Sequence, residues 1–243
     1  MSGSRLEGKT AVVTGASRGI GKAITSALAP HRMNLAITGR SLAGLDQTRQ
    51  QAETAGSRVL SIEADFSDKG ASYRVITETV NSFGGIDILI NNAGTALKAD
   101  VENTSDRDWD RILAVNARSP FILCREALPE LKKSEIGTII NISSVVGHKG
   151  YEKQAAYSAS KHALMGFTKA LAREVSKHGI RVHAVSPGGT ATDLVTKMRP
   201  DIDPAALIQP EEIADVVMYL LLHRGNSVID EIHLRRENNI PWQ

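Results

Sequence analysis

Short runs rich in Val, Ile and Leu alternate with longer helical stretches along nearly all of the 243 residues. Strands separated by helices need crossover connections, which favour a parallel sheet covered by helices on both faces. Nearly continuous apolar strands are typical of such doubly buried sheets. We expect strands at residues 10–15, 34–39, 58–65, 86–92, 138–144, 180–187 and 227–234. We expect helices at residues 19–29, 42–55, 69–83, 105–133, 155–177 and 210–222.

The order of these elements predicts one α/β domain of the doubly wound type over residues 1–243, since no repeat or linker interrupts it. In such sheets a ligand binds beyond the carboxyl ends of the strands, so functional residues are expected there. Residues 188–209 form the least regular stretch and carry prolines at 200 and 204. A loop of this length in a compact domain is usually functional or mobile.

A glycine-rich turn, TGASRGIG, follows the first strand and opens the first helix, with glycines at 15, 19 and 21. Glycines let the backbone turn sharply and let a pyrophosphate approach N–H groups at a helix N-terminus. The alternative is an ordinary strand-to-helix turn. The position of the turn after the first strand favours a dinucleotide site.

Basic residues near this turn indicate which dinucleotide binds. An NAD site normally has an acidic residue near the end of the second strand, but none occurs between Glu7 and Asp46. Arg18 and Arg40 occupy this region instead, and two guanidinium groups would suit a 2′-phosphate. Both arginines could simply be solvated. We expect NADP(H) as the cofactor.

Ser144, Tyr157 and Lys161 suggest the reaction. Tyr157 and Lys161 are four residues apart on one face of a predicted helix, and Ser144 ends the preceding strand. A neighbouring ammonium, and an oxidised nicotinamide, would lower the tyrosine pKa from about 10. Such a tyrosine can give a proton to a carbonyl oxygen as hydride reaches the carbon. Without the glycine-rich turn, this short pattern would simply indicate a Tyr and a Lys on the surface of a helix.

The chain resembles the short-chain dehydrogenases/reductases over nearly its whole length. The resemblance rests on TGASRGIG, NNAG at 91–94, the Asn of VNARSPF, NISSVVG, YSASK and SPGGTATD at 186–193. It implies a Rossmann fold with a seven-stranded parallel sheet. The pattern is nearest to reductases of 3-oxoacyl thioesters and to 3-hydroxy-acid dehydrogenases.

The resemblance implies a catalytic tetrad of Asn116, Ser144, Tyr157 and Lys161, in which Ser144 rather than Ser143 has the family's spacing to the tyrosine. Asn116 would support a water linked to Lys161, and Lys161 would also bond the nicotinamide ribose. Asp65 would contact the adenine. The implied cofactor-binding residues are Gly15, Ser17, Arg18, Gly19, Ile20, Gly21, Arg40, Asp65, Phe66, Asn92, Ala93, Gly94, Tyr157, Lys161, Pro187, Gly188, Thr190 and Thr192.

The resemblance also implies partners: a small carbonyl or alcohol substrate, an acyl carrier protein thioester as one candidate, and a second copy of the chain. The helices at 105–133 and 155–177 pair subunits in this family, so we expect a homodimer or homotetramer. The end of the chain, RGNSVIDEIHLRRENNIPWQ, lacks the family's T-G-Q segment and glycine pair. That departure leaves both the tetramer and the substrate class open.

Composition excludes several other classes. A net charge of +2 gives no reason to expect nucleic-acid or membrane-surface binding. A single cysteine, Cys124, allows no internal disulfide and fits a reducing, cytoplasmic compartment. The seven histidines show no metal-ligand spacing, so we expect no metal site, and we expect His148 to be an exposed loop residue.

An NADPH-dependent carbonyl reductase is the leading hypothesis. The alternatives are an NAD-linked alcohol or hydroxy-acid dehydrogenase, a non-catalytic NADPH sensor, and a sugar-nucleotide epimerase or dehydratase. The short stretch after Val185 argues against the last, and the presence of both Tyr157 and Lys161 argues against the sensor.

Overall fold

All seven strands of the computed structural model, which describes residues 5–198 and 201–241, are parallel and form one sheet. In chain order they are β1 Thr10–Val13, β2 Asn34–Gly39, β3 Arg58–Glu63, β4 Ile88–Asn91, β5 Thr138–Ile142, β6 Arg181–Pro187 and β7 Glu231–Leu234. The order across the sheet is β3-β2-β1-β4-β5-β6-β7. This arrangement confirms the predicted doubly wound fold with a seven-stranded parallel sheet.

The α-helices cover both faces of this sheet. They are α1 Gly19–Leu28, α2 Asp46–Thr54, α3 Ala71–Phe83, α4 Asp106–Leu113, α5 Ser119–Leu131, α6 Ala155–Val175, α7 Asp193–Met198 and α8 Pro210–Leu222. A π-helical turn, Ala114–Arg118, joins α4 to α5. The longest helix, α6, packs against β6 and carries the predicted Tyr-Lys pair.

Neighbouring residues of β1 show why apolar strands suit this architecture. Val13 packs with Ile24 of α1 and with Val217 of α8 on one face of the sheet. Val12 packs with residues of α3 and α5 on the other face. Side chains alternate between faces along a strand, so a strand covered on both sides needs apolar residues at every position. Each such buried side chain contributes roughly 1.5–3 kcal/mol.

The strand order places the site. The chain leaves β1 towards β2 and β3 and then returns to β4 on the other side of β1, so a crevice opens between the loops that follow β1 and β4. Because every strand is parallel, the loops after β5 and β6 open at the same edge of the sheet.

Some local expectations were wrong. The stretch at 188–209 contains α7 and a 3₁₀ turn at Pro204–Ala206, while Pro200 lies outside the described residues. The last strand begins at Glu231 rather than 227, because the mostly exposed residues 227–230 pair with β6 only through isolated backbone bonds. The expected helix at 105–133 is interrupted by the π-turn. The domain limits of 1–243 remain a prediction, and their terminal residues 1–4 and 242–243 lie outside the described part.

Candidate functional site

A cleft of about 1130 Å³ opens at the carboxyl edge of the sheet. Every predicted site residue lines it except Gly21 and Asn116, which lie behind its walls. The residues that the cleft brings together are Gly15, Ser17, Arg18, Gly19, Ile20, Arg40, Asp65, Phe66, Asn92, Ala93, Gly94, Ser144, Tyr157, Lys161, Pro187, Gly188, Thr190 and Thr192.

The glycine-rich turn is shaped by two close approaches of backbone. Gly15 has a φ of +69°, and a Cβ there would lie 2.9 Å from the Cα of Ala93. A Cβ at Gly21 would lie 2.2 Å from the carbonyl oxygen of Gly15. A side chain at either position would therefore push the turn apart. The result is a side-chain-free cradle at the N-terminus of α1, which fits a dinucleotide pyrophosphate.

Asn92, which follows β4, locks this turn to the neighbouring loop. Its Nδ2 donates to the carbonyls of Thr14 and Gly15, at 2.8 and 3.1 Å. The hydroxyl of Thr14 in return accepts from the backbone N–H groups of Asn92 and Ala93, both at 2.9 Å. Asn92 therefore holds the floor of the cleft in one conformation before any ligand arrives.

The end of the cleft near β2 and β3 carries Arg40 and Asp65. Asp65 accepts hydrogen bonds from the backbone and hydroxyl of Ser67, at 2.9 and 2.7 Å. These bonds, with a smaller contribution from the charge of Arg40, hold the pKa of Asp65 below its usual range. The Asp65 carboxylate is thus an ionised acceptor that could receive an amino group, and the exposed Arg40 is a cation beside it.

Ser144, Tyr157 and Lys161 meet where the loop after β5 faces the first turns of α6. The hydroxyl of Ser144 faces that of Tyr157 closely enough to favour the ionised form of the phenol. The Nζ of Lys161 lies 5.9 Å from the centroid of the Tyr157 ring and donates to the carbonyl of Ile142 at 2.8 Å. This grouping puts two hydroxyls and an amine at one wall of the cleft, as the sequence predicted.

The pKa of Tyr157 differs from the sequence-based expectation that it is lowered. Burial raises the pKa of Tyr157 above its ordinary value, and the Ser144 hydroxyl offsets this only in part. Burial also lowers the pKa of Lys161 to about 8. The expected lowering of the Tyr157 pKa by Lys161 is therefore wrong, because the Lys161 ammonium donates its hydrogen bond to the Ile142 carbonyl instead. A cationic group bound beside the phenol would supply the missing stabilisation of phenolate.

Asn116 sits in the π-turn behind this wall and is only 1 % exposed. Its Nδ2 donates to the carbonyl of Thr95 at 2.8 Å and to the hydroxyl of Ser160 at 2.9 Å. Its Oδ1 accepts from the Thr95 N–H at 2.9 Å, and Ser160 donates on to the carbonyl of Tyr157 at 2.7 Å. Asn116 thus ties the loop after β4 to the helix that carries the tyrosine.

Residues missed by the sequence analysis line the opposite wall. Asp193 of α7 forms an ion pair with Arg18, with 2.9 Å between Nη1 and Oδ2. Arg236 and Ile240 of the C-terminal segment also line the cleft. The one sequence feature that could have drawn attention to the C-terminal segment was its departure from the family pattern. The backbone after β7 runs across Gly188, whose N–H donates to the carbonyl of Leu234 at 2.8 Å.

The charge of the cleft is uneven. Among the described lining residues only Asp65 and Asp193 are acidic, and Asp193 is paired with Arg18. Lys149 follows β5 and Arg236 follows β7, whereas Asp65 follows β3 at the opposite edge of the sheet. Arg236 uses one amino group to donate to Oδ1 of Asn239, at 2.8 Å, and its other donors can bind an anion.

Comparisons with known proteins agree with this geometry. A family model described as short chain dehydrogenase matches residues 9–203. A 3-oxoacyl-(acyl-carrier-protein) reductase of Thermotoga maritima is 33 % identical over 236 residues, which are 94 % of this chain and 96 % of the relative. A D-beta-hydroxybutyrate dehydrogenase of Rhizobium meliloti is 37 % identical over 214 residues, 86 % of this chain and 82 % of the relative.

A solved structure gives the same picture. The crystal structure of a metagenomic short-chain oxidoreductase in complex with NADP is similar with a TM-score of 0.84 and 34 % identity, covering 95 % of this chain and 98 % of that one. Within the described residues, no helix is both long enough and apolar enough to span a membrane.

Proposed function

Because the chain belongs to the short chain dehydrogenase family, we propose that it is an NADPH-dependent reductase of a ketone or aldehyde, with a 3-oxoacyl compound as the favoured substrate. The observation that carries the proposal is the meeting of Ser144, Tyr157 and the buried Lys161 at one wall of the cleft. The sequence predicted this reaction from the same three residues.

Each of these side chains has a defined task in a carbonyl reduction. Bound NADPH supplies the hydride. The Ser144 hydroxyl holds the substrate oxygen, and the Tyr157 hydroxyl donates its proton to that oxygen as negative charge develops. Lys161, which is mostly protonated at pH 7 because its pKa is about 8, stabilises the phenolate that remains once its ammonium turns from the Ile142 carbonyl towards the phenol. Asn116 fixes α6 through Ser160, so the phenol is held in place between turnovers.

Two features support NADP(H) rather than NAD(H). Arg40 directly follows β2, where an NAD site would carry an acidic residue to bind the ribose hydroxyls. The similar metagenomic oxidoreductase was crystallised with NADP. Arg18 lies in the same cleft, but it must leave its ion pair with Asp193 before it can bind a phosphate of the cofactor.

The uneven charge of the cleft supports a substrate that carries an anionic group. Lys149 and Arg236 line the cleft after β5 and β7, and the acidic lining residue on this side of the sheet, Asp193, is paired with Arg18. A 3-oxo acid would present a carboxylate to these cations, and a carrier-protein thioester would present a phosphate. The two curated relatives named above fit these two possibilities.

The related dehydrogenase suggests the second candidate, an NAD(P)-linked oxidation of a 3-hydroxy acid. In this direction Tyr157 accepts the hydroxyl proton of the substrate, and a higher pH favours the reaction. The same residues serve both directions, so the two candidates share one site and differ in the substrate that is consumed.

Substitution of Tyr157 by Phe tests the proposal. We expect Tyr157→Phe to lower substrate-dependent NADPH oxidation by at least about 10²-fold, the usual contribution of a general acid, while NADPH binding is kept. The assay screens 3-oxoacyl esters and thioesters, diketones, quinones and aldehydes. Tyr219→Phe is the matched control, because Tyr219 is 48 % exposed on α8 and lies outside the cleft.

Full turnover in Tyr157→Phe would refute the mechanism. If wild-type protein bound NADPH tightly yet reduced no compound in the panel and oxidised no 3-hydroxy acid, a non-catalytic NADPH sensor would replace the enzyme as the explanation.

We also propose that the chain is a homo-oligomer that pairs through α5 and α6. Phe121 of α5 is 44 % exposed and packs edge-to-face on Phe167 of α6, with ring centroids 5.5 Å apart. An exposed ring that is backed by a partly buried ring of the neighbouring helix favours a protein contact. Sedimentation of Phe121→Asp, compared with wild type, tests this surface.

A further inference from the structure

Three ionisable side chains outside the cleft lining converge on one point at the edge of the sheet. The Nε2 atoms of His148 and His233 lie 2.6 and 3.0 Å from the same carboxylate oxygen, Oε1 of Glu231. All three potential ligand atoms lie within 4.8 Å of one another. His148 and Glu231 are 83 residues apart in the sequence, so the fold alone creates this group.

The backbone explains why the three side chains meet. Glu231 and His233 are two apart on β7, so they project from the same face of the strand. β7 pairs with β6 so that Glu231 lies beside Ala184 and His233 beside Ser186. His148 ends the 3₁₀ turn Val145–Gly147, which follows β5 on the other side of β6. The third side chain therefore reaches across β6 to the edge strand.

The carboxylate of Glu231 is held in place by a residue of the neighbouring strand β6. Ser186, which is fully buried, donates its hydroxyl to the same Oε1 at 2.7 Å. Its hydrogen bond to the carboxylate is the kind of supporting contact that fixes the orientation of a metal ligand. The two imidazole rings pack against each other, with centroids 4.5 Å apart and a tilt of 53°. Three residues are thus pre-oriented towards one point.

We propose that His148, Glu231 and His233 form a site for a divalent transition-metal ion of the zinc type. Two imidazole nitrogens and one carboxylate oxygen suit zinc, cobalt or nickel and not the oxygen-seeking magnesium or calcium. Bonds of about 2.0–2.1 Å to a tetrahedral ion would separate the ligand atoms by roughly 3.4 Å. The present separations of 2.6 and 3.0 Å are shorter, so a small outward movement of both imidazoles admits the ion.

The surroundings allow an ion to enter and to be released. The side chains of His148, Glu231 and His233 are 25 %, 20 % and 52 % exposed. With neutral imidazoles the group carries one negative charge, which attracts a cation. Three protein ligands leave a fourth position to water. No metal site was expected from the sequence, because the three ligands show no recognisable spacing along the chain.

The ion would lie beside the active site rather than in it. His148 does not line the cleft, but Val146 and Lys149 on either side of it do. The loop between Ser144 and Tyr157 contains His148, so a bound ion would link this loop to β7. Metal binding is expected to stiffen one wall of the substrate pocket without taking part in the reaction.

Metal titration of the whole protein, freed of any affinity tag and treated with a chelator, tests the site without cofactor or substrate. Calorimetry with zinc chloride and visible spectroscopy with cobalt(II) are expected to show one ion per chain with tetrahedral cobalt bands. We expect His148→Ala, His233→Ala and Glu231→Gln each to weaken zinc binding by at least about tenfold. His178→Ala is the matched control, because His178 is exposed at the end of α6, away from the site.

Thermal unfolding gives a second readout that does not depend on the titration. Zinc at about 100 times its Kd is expected to raise the Tm of the wild type by about 5 °C and that of His233→Ala by much less. His233 is half exposed, so its replacement leaves the core intact. Zinc is also expected to slow hydrogen exchange at residues 145–154.

Three results would overturn the proposal. The first is wild-type protein that binds no zinc. The second is binding that survives unchanged in His148→Ala and His233→Ala. The third is one ion per two chains with zinc-dependent association, which would mean that the ion bridges surfaces of different molecules.

Discussion

Arg18 and Asp193 form an ion pair across the cleft, with 2.9 Å between Nη1 and Oδ2. The pair joins the glycine-rich turn to α7, so the arginine expected to serve the cofactor is already occupied by a carboxylate. Phosphates entering this part of the cleft must displace Asp193 or accept its repulsion. Because both side chains are well exposed, the pair itself is worth at most about 1 kcal/mol.

Asp193→Asn is therefore expected to tighten NADPH binding by about two- to fivefold, because Arg18 is freed and a like charge is removed. Fluorescence titration of NADPH at low salt measures the effect, which should shrink as salt is added. Asp215→Asn, on the exposed side of α8, is the matched control. Weaker binding in Asp193→Asn would show that the carboxylate helps to hold the cofactor.

Arg40→Asp is expected to reverse the cofactor preference. Loss of a charge-assisted contact to a 2′-phosphate, together with the new carboxylate, should weaken NADPH about 10- to 100-fold and leave NADH nearly unchanged. The ratio of kcat/KM for the two cofactors measures it, with Arg32→Asp as a control outside the cleft. An unchanged ratio would remove the role given to Arg40.

The sequence was sufficient to predict the role of a residue where that residue type has one physical use at its position. Gly15 and Gly21 were recognised from their place in the turn after the first strand, and each proves to leave no room for a Cβ. The Tyr157–Lys161 pair was recognised because side chains four apart share a helix face. The parallel sheet covered on both faces followed from the alternation of strands and helices.

The sequence was insufficient where a side chain has several possible partners. Lys161 was expected to act on the phenol of Tyr157, but its hydrogen bond goes to the carbonyl of Ile142. Asp193 and Glu231 gave no signal, because their partners Arg18 and His148 lie far away in the chain. The π-turn around Asn116 was invisible because a helical pattern continues through it.

Asn116→Ala is expected to impair both stability and turnover. The substitution removes the partner of the part-buried N–H and carbonyl of Thr95 and one of the two partners of the Ser160 hydroxyl, at a cost of roughly 1–3 kcal/mol. With α6 no longer tied to the loop after β4, kcat should fall at least tenfold while KM for NADPH changes little. Asn103→Ala, at an exposed position, serves as the control for thermal and kinetic measurements.

Arg236→Gln is expected to discriminate between substrates by charge. If Arg236 binds an anionic group, KM should rise about tenfold or more for acetoacetate and stay nearly constant for its neutral ethyl ester. The paired measurement separates a charge effect from general damage to the pocket wall. An equal rise for acid and ester would mean that Arg236 only supports the C-terminal segment through Asn239.

Lys161→Met is expected to abolish turnover and to change how stability depends on pH. Burial lowers the pKa of Lys161 from 10.5 to about 8, so the folded wild type gives up this proton at a lower pH than the unfolded chain does. Between pH 8 and pH 10.5 the unfolded state therefore binds more protons, and wild-type stability gains from this residue as the pH rises. Below pH 8 the buried charge costs about 3 kcal/mol, since each pH unit is worth 1.36 kcal/mol.

The methionine variant has no such charge. The free energy of unfolding of the variant minus that of the wild type should therefore be greatest at pH 7. That difference should fall by about 2 to 3 kcal/mol by pH 10.5. The variant also leaves the Ile142 carbonyl without its donor, but this cost is the same at every pH and does not change the slope. Urea unfolding at several pH values measures the difference. Lys169→Met, at an exposed position on the same helix, should show a constant difference. A flat profile for Lys161→Met as well would mean that the lysine keeps an ordinary pKa in the folded protein, and that an intact ammonium faces the phenol of Tyr157 over the whole working range.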